Sequence, residues 1–340
     1  MRPFSGIKRR SAAAVTGAVL TSAVLVASMA VASANQPASR DHNRRPQRCT
    51  PSLATGPQTV TVHFDGVGYP VRVHLPTRRS AGARAPMVMN LHYSNGNADD
   101  QATMTGMEDV ADEHGFIAVE PNGALPAADP NPNKIWFWNV PGVPTVAGDY
   151  PPADARDDID FLTTVIDTVT KLACADSHRV YLTGHSGGAR MASAYACARP
   201  DKIAAIAPNS GLRAGRPSPD DPQAAELQTC QPSLPVPVVT FHGDADDTNP
   251  YQGNSDPRWG YPVQNAVQSW ALLNGCRVGP VIKPYSEHVS IESYTHCRAH
   301  AAVRLYKVSG GTHSWPGSEG ATQEINASET MWDFFTHYRR

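Results

Sequence analysis

Apolar and polar positions change period several times along this 340-residue chain. Residues 59–64 and 69–75 alternate around Asp65-Gly66, which predicts a β-hairpin. Residues 86–91 are almost continuously apolar, as suits a strand buried on both faces. Residues 102–114 have helical character and end at Gly115, and 116–119 form another buried strand. The stretch 121–152 is rich in Pro, Asn and Gly and predicts a long loop. Ile159, Leu162, Val165, Ile166, Val169 and Leu172 recur at helical spacing, behind Asp157 and Asp158, which favour a helix N-terminus. Beyond them the pattern predicts strands at 180–183, 203–207, 236–241 and 303–308, and helices at 189–198, 263–273 (stopped by Gly275) and 328–338. Strands alternating with helices imply one α/β domain: a mostly parallel sheet with helices on both faces and an N-terminal β-hairpin.

The first residues stand outside that pattern. Arg2, Lys8, Arg9 and Arg10 precede an uncharged stretch of small and apolar residues, and Ala32-Ser33-Ala34 forms an A-x-A site. Residues 1–34 are therefore expected to be a secretory signal peptide, cut before Asn35. Residues 35–57 read as a flexible lead, pinned only if Cys49 is bonded, and 58–340 as the folded domain. No other stretch is long and apolar enough to span a bilayer. Removing the four basic residues of the signal leaves 25 of the 29, against 31 acidic residues. That balance argues against nucleic acid and anionic membranes as partners. Six cysteines in an exported chain favour disulfides; Cys276 and Cys297 bracket one short segment and are the preferred pair. The protein is expected to be secreted and monomeric.

Gly184-His185-Ser186-Gly187-Gly188 lies between the strand 180–183 and the helix 189–198. A serine on a sharp strand-to-helix turn is the setting of a nucleophile elbow, and glycines admit the strained backbone. A serine hydroxyl needs a base to take its proton and an acid to orient that base. In this fold the order is serine, acid, histidine, each in a loop after a strand. Asp244, Asp246 and Asp247 follow the strand 236–241, with Asp246 preferred as the acid. His313 follows the strand 303–308 within Gly310-Gly311-Thr312-His313-Ser314-Trp315 and is the expected base. The N–H of Gly187 supplies one oxyanion donor; the second is expected from the loop after 86–91, at Ser94 or alternatively Tyr93. Tyr93, His185, Trp136, Trp138 and Trp315 are candidate substrate contacts, and Tyr251, Trp259 and Tyr261 add aromatic surface after the acid loop. No metal or organic cofactor is needed by this chemistry.

Several segments, in order, carry a family resemblance: Leu91-His92 with Gly96-Asn97-Ala98-Asp99; Asp112 to Phe116; Arg179 to Ser186; Ala204 to Pro208; His242-Gly243 with Asp246 and Pro250-Tyr251; and Gly310 to Gly317. The chain resembles, from about 59 to 338, the secreted α/β-hydrolases that include polyhydroxybutyrate depolymerases and bacterial feruloyl or acetylxylan esterases. The resemblance implies Ser186, Asp246 and His313 as the catalytic set and an ester of a polymer or plant cell wall as substrate. That family usually has glycine after the oxyanion-strand histidine; here Tyr93 follows His92, which narrows the pocket or redirects an N–H. The cysteines that tannase-like feruloyl esterases carry beside serine and histidine are replaced by His185, Gly187, Thr312 and Ser314. Other activities for such a set are a serine peptidase or a cell-envelope acyltransferase.

Overall fold

A computed structural model describes residues 49–80, 82–128 and 130–340. The expected signal segment and the first part of the lead lie outside the described residues. In chain order the elements are β1 (Gly56–Phe64), β2 (Val67–Leu75), β3 (Ala85–Leu91), α1 (Ala98–Thr105), α2 (Met107–His114), β4 (Ile117–Pro121), β5 (Leu125–Pro126), β6 (Trp136–Phe137) and α3 (Asp158–Ala173). There follow β7 (Ala175–His185), α4 (Gly187–Ala198), β8 (Ala205–Asn209), β9 (Val238–Gly243), α5 (Val263–Leu273), β10 (Val278–Pro284), β11 (Val289–Thr295), β12 (Val303–Val308) and α6 (Ala327–Thr336).

Ten strands form one sheet in the order β1-β2-β4-β3-β7-β8-β9-β12-β11-β10. The six from β4 to β12 run parallel; β2 at one edge and β11 at the other run antiparallel to them, and β1 and β10 pair antiparallel with β2 and β11. The β1–β2 hairpin turns through Asp65 and Gly66, both at positive φ, the geometry that two-residue hairpin loops favour. Alternate residues of each central strand enter opposite cores. Met87, Met89 and Leu91 of β3 join α3, α4 and α5 on one face, while Val88 joins α2 and α6 on the other. Helix α3 shows how a sequence pattern becomes such a layer. Asp157 caps it by accepting from the N–H groups of Ile159 and Asp160, and Phe161, Leu162, Val165 and Val169 are fully buried against the sheet.

Two expectations are corrected, and one hairpin was not foreseen. The helix expected at 102–114 is two helices starting at Ala98, because Gly106 (φ 57) takes a left-handed conformation that ends α1 and begins α2. The loop 121–152 contains the two-stranded β5–β6 ribbon. The hairpin β10–β11 had no counterpart in the sequence reading. Every residue of β10 is exposed, prolines stand at 280 and 284, and its register slips between Val278 and Val281.

All six cysteines are paired, as Cys49–Cys174, Cys197–Cys230 and Cys276–Cys297. The first bond, with hydrogen bonds from Ser52 to the Leu172 carbonyl, holds the end of the lead against α3. No helix among the described residues is long and apolar enough to cross a membrane.

Candidate active site

Strand β7 delivers Ser186 into α4 through a backbone that only a forced turn adopts: φ 55, ψ −113. The glycines around it are needed for space. A Cβ at Gly188 would lie 2.1 Å from the Leu91 carbonyl oxygen, and one at Gly184 2.7 Å from the Gly188 carbonyl carbon. Strain of this kind persists only where its surroundings enforce it, and it concentrates at functional sites. The Ser186 N–H is held by the Asn209 carbonyl at 2.9 Å. The Ser186 side chain is 5% exposed, and its hydroxyl makes no hydrogen bond among the described residues.

Strands β9 and β12 are neighbours in register, Val308 opposite Gly243, so the loops beyond them meet. A Cβ at Gly243 would lie 2.1 Å from the Gly311 oxygen, which is why the contact is glycine on glycine. The three aspartates of the first loop part company here. Asp244 accepts from the Gly310 N–H at 2.6 Å and from Lys307 at 3.1 Å, stitching the loops together. Asp247 is exposed. Asp246 is buried and its Oδ2 lies 2.7 Å from His313 Nδ1. Its Oδ1 accepts from the N–H groups of Thr248 (3.0 Å) and Asn249 (2.8 Å), and His242 Nε2 stands 3.3 Å from Oδ2. Burial alone would raise this carboxyl, but the hydrogen bonds from His242, His313 and Asn249 outweigh it and hold it well below the usual carboxylate range. Asp246 is thus a fixed anion that accepts from Nδ1 of His313 and leaves Nε2 of that ring as its other polar atom.

Asn209, at the end of β8, joins the two halves of the site. Its carbonyl holds Ser186, while its side-chain amide donates to the Ser314 carbonyl (3.0 Å) and to His185 Nδ1 (2.8 Å). The His185 ring packs 4.7 Å from the ring of His313. Burial first, then the neighbouring His313, push His185 down to about 3, so it is a neutral acceptor. The loop after β3 closes the other side. A Cβ at Gly187 would lie 3.1 Å from Ser94 N and 2.4 Å from Ser94 Oγ, so these two backbones meet face to face. The Ser94 N–H has no acceptor among the described residues, and the first-turn N–H groups of a helix such as α4 have none within the helix. His92 beneath is fully buried, donates from Nδ1 to the Tyr93 carbonyl (2.7 Å), and accepts from the Gly123 N–H (2.9 Å). Its burial pushes it down to about 4.

The aromatic candidates divide. Tyr93 is half-buried; its ring covers Gly96 and meets His185 edge-on at 6.2 Å, lining the site. Trp136 is half-buried and its backbone pairs with Asn95 and Gly96, propping the loop. Trp138 is enclosed, stacks on His92 and donates to the His92 carbonyl at 2.8 Å. Trp315 is enclosed too and donates to Ser328. Both of these rings hold loops in place. Sequence reasoning missed Asn209 and two buried arginines, Arg190 and Arg213. Only the position of Asn209, at the carboxyl end of the strand beside the elbow, signals its importance, since sites in such sheets gather there.

A parallel sheet that lifts a strained serine at one strand end, with a buried aspartate bonded to a partly exposed histidine beyond two later strands, defines an α/β-hydrolase. The model of a family described as "Esterase PHB depolymerase" matches residues 71–245, and this chain belongs to that family. A feruloyl esterase B from Piromyces equi is 28% identical over 72% of this chain and 42% of its own length, so the chain spans less than half of that relative. A putative esterase, NocK, from Nocardia uniformis is 28% identical over 73% of each chain. Among solved structures, an acetyl xylan esterase from Aspergillus awamori superposes with a TM-score of 0.57 at 16% identity, over 83% of this chain and 99% of its own, a likeness of fold.

Proposed function

We propose that the protein is an exported serine carboxylic-ester hydrolase working through an acyl-enzyme, with residues 1–34 as its export signal and 58–340 as its catalytic domain. The observation that carries this reading is the 2.7 Å bond between His313 and the buried Asp246, tied by Asn209 to the strained Ser186. His313 takes the Ser186 proton as Oγ attacks the ester carbonyl. Asp246 holds the ring in the required tautomer and stabilises its charge. The N–H groups of Gly187 and Ser94 receive the oxyanion, and α4 points its positive end at it. His313 then protonates the leaving alcohol, and water releases the acid by the reverse path. Family membership and the names of the relatives favour esters of polyhydroxybutyrate or of feruloylated and acetylated polysaccharide. Three disulfides suit an oxidising exterior.

Ser186→Ala is expected to abolish hydrolysis of p-nitrophenyl butyrate, and His313→Ala to lower kcat by roughly 10³-fold or more. Full activity in the serine variant would sink the proposal. A panel of polyhydroxybutyrate film, methyl ferulate, acetylxylan and a peptide amide then ranks the substrates, and added sugar alcohol reports any transfer.

A further inference from the structure

Beside the elbow, between one face of α4 and the loop after β8, lies a cavity of about 260 Å³. Four arginines line it, Arg190, Arg213, Arg216 and Arg258, and no acidic side chain among the described residues does. Two of the four are neutralised: Arg216 pairs with Glu226 at 2.6 Å and Arg258 with Asp256. Arg190 and Arg213 form no salt bridge among the described residues, although they are only 4% and 5% exposed. Among the described residues Arg190 Nε and Nη1 have no hydrogen-bond partner, and Nη2 reaches only Ser94 Oγ at 3.5 Å. Arg213 donates to the Leu212 carbonyl and to Asn249, leaving Nε without a partner. The Trp259 ring stands 4.4 Å from the Arg190 guanidinium carbon and 5.6 Å from that of Arg213, which offsets part of the lost hydration. Burial, and for Arg190 also the charge of Arg213, push the two down to about 9 and about 10, so both remain cations at neutral pH.

Two enclosed cations without an anion are unfavourable unless an anion joins them. One of its arginines also reaches toward the elbow: Arg190 Nη2 lies 3.5 Å from Oγ of Ser94, the residue facing Gly187, and Trp259, which stacks on Arg190, lies 6.2 Å from the His313 ring. We infer that this cavity receives a carboxylate carried by the ester substrate, so that the enzyme selects acidic esters: half-esters of dicarboxylic acids, or oligoesters ending in a free acid. Guanidinium N–H groups left unpaired match the two oxygens of a carboxylate. The inference rests on the ester-hydrolase reading but has its own readout.

The test compares mono-p-nitrophenyl adipate with its neutral isostere, the p-nitrophenyl ester of adipamic acid. The wild type is expected to favour the carboxylate by about tenfold or more in kcat/KM. Arg190→Met should bring that ratio to about one, and Arg190→Lys should restore part of it. Because the ratio is internal, a general loss of activity in a variant leaves it readable. Equal rates on the two esters in the wild type, or a preference that survives in Arg190→Met, would overturn the inference and leave ester hydrolysis standing. A second arm needs no turnover. Adipate titrated into Ser186→Ala protein should change tryptophan fluorescence saturably, an effect lost when Arg190→Met is added. Absence of that binding refutes the cavity's role whether or not any ester is cleaved.

Discussion

At the scale of single residues, the site depends on a group outside the proposed catalytic set. Asn209 uses its backbone carbonyl, and both N–H groups of its side-chain amide, to register the elbow, His185 and the loop carrying His313. Asn209→Ala leaves Ser186, Asp246 and His313 intact but removes two of those ties. Small misplacements of reacting groups are expensive in rate, so kcat is expected to fall by about 10–100-fold. KM should change less, which steady-state kinetics on p-nitrophenyl butyrate will resolve. An unchanged kcat would mean that the loops hold their own register. Gly184 to Gly188 were legible in the sequence because a strained turn admits few residues whatever surrounds it. Asn209 and Arg190 were not, because an asparagine after a strand and an arginine in a helix are ordinary until the sheet order brings other side chains to them.

At the scale of elements, β3, β4 and α1 share a buried polar network. Gln101 donates to Asn90 at 2.8 Å, Asn90 donates to Thr105 at 3.0 Å, and at 3.5 Å it reaches Glu120, whose second carboxyl oxygen has no partner among the described residues. Burial, reinforced by the charge of Glu108, pushes Glu120 up to about 8. The unfolded chain releases that proton near pH 4, whereas the folded chain keeps it to about pH 8. Stability is therefore fully present below pH 4 and declines as pH rises through that window. Glu120→Gln should remove this slope: its melting temperature is expected to exceed that of the wild type more at pH 8.5 than at pH 5. A constant difference across that range would contradict the assignment. Periodicity located nearly every central element, since strands buried on both faces and helices with one apolar stripe leave plain patterns. It failed at β10, where Pro280, Lys283 and Pro284 break the alternation and no face is buried, and at Gly106, where a helical pattern continues across a backbone break.

At the scale of the whole molecule, the chain outside the parallel core is fastened by covalent ties. Cys49–Cys174 closes a loop 125 residues long and anchors the residues leading into β1 to the end of α3. A tie of that length is expected to contribute about 3–5 kcal/mol. Replacing both cysteines by serine should lower the guanidinium midpoint accordingly, and an unchanged midpoint would show that β1 holds without it. The expected order serine, aspartate, histidine rested on the place of each after a strand, and the strands themselves were readable. The bonds Cys49–Cys174 and Cys197–Cys230 were not, since six cysteines permit many pairings and only folding selects among them.

The outer rim of the sheet at β10 bears on how the protein behaves in company. An uncovered strand ordinarily offers a row of free N–H groups to any extended peptide that drifts past. Two prolines there supply none, and the slipped register bends what remains out of line. Copies crowded together would meet an interrupted ladder along this rim, which works against their joining edge to edge there.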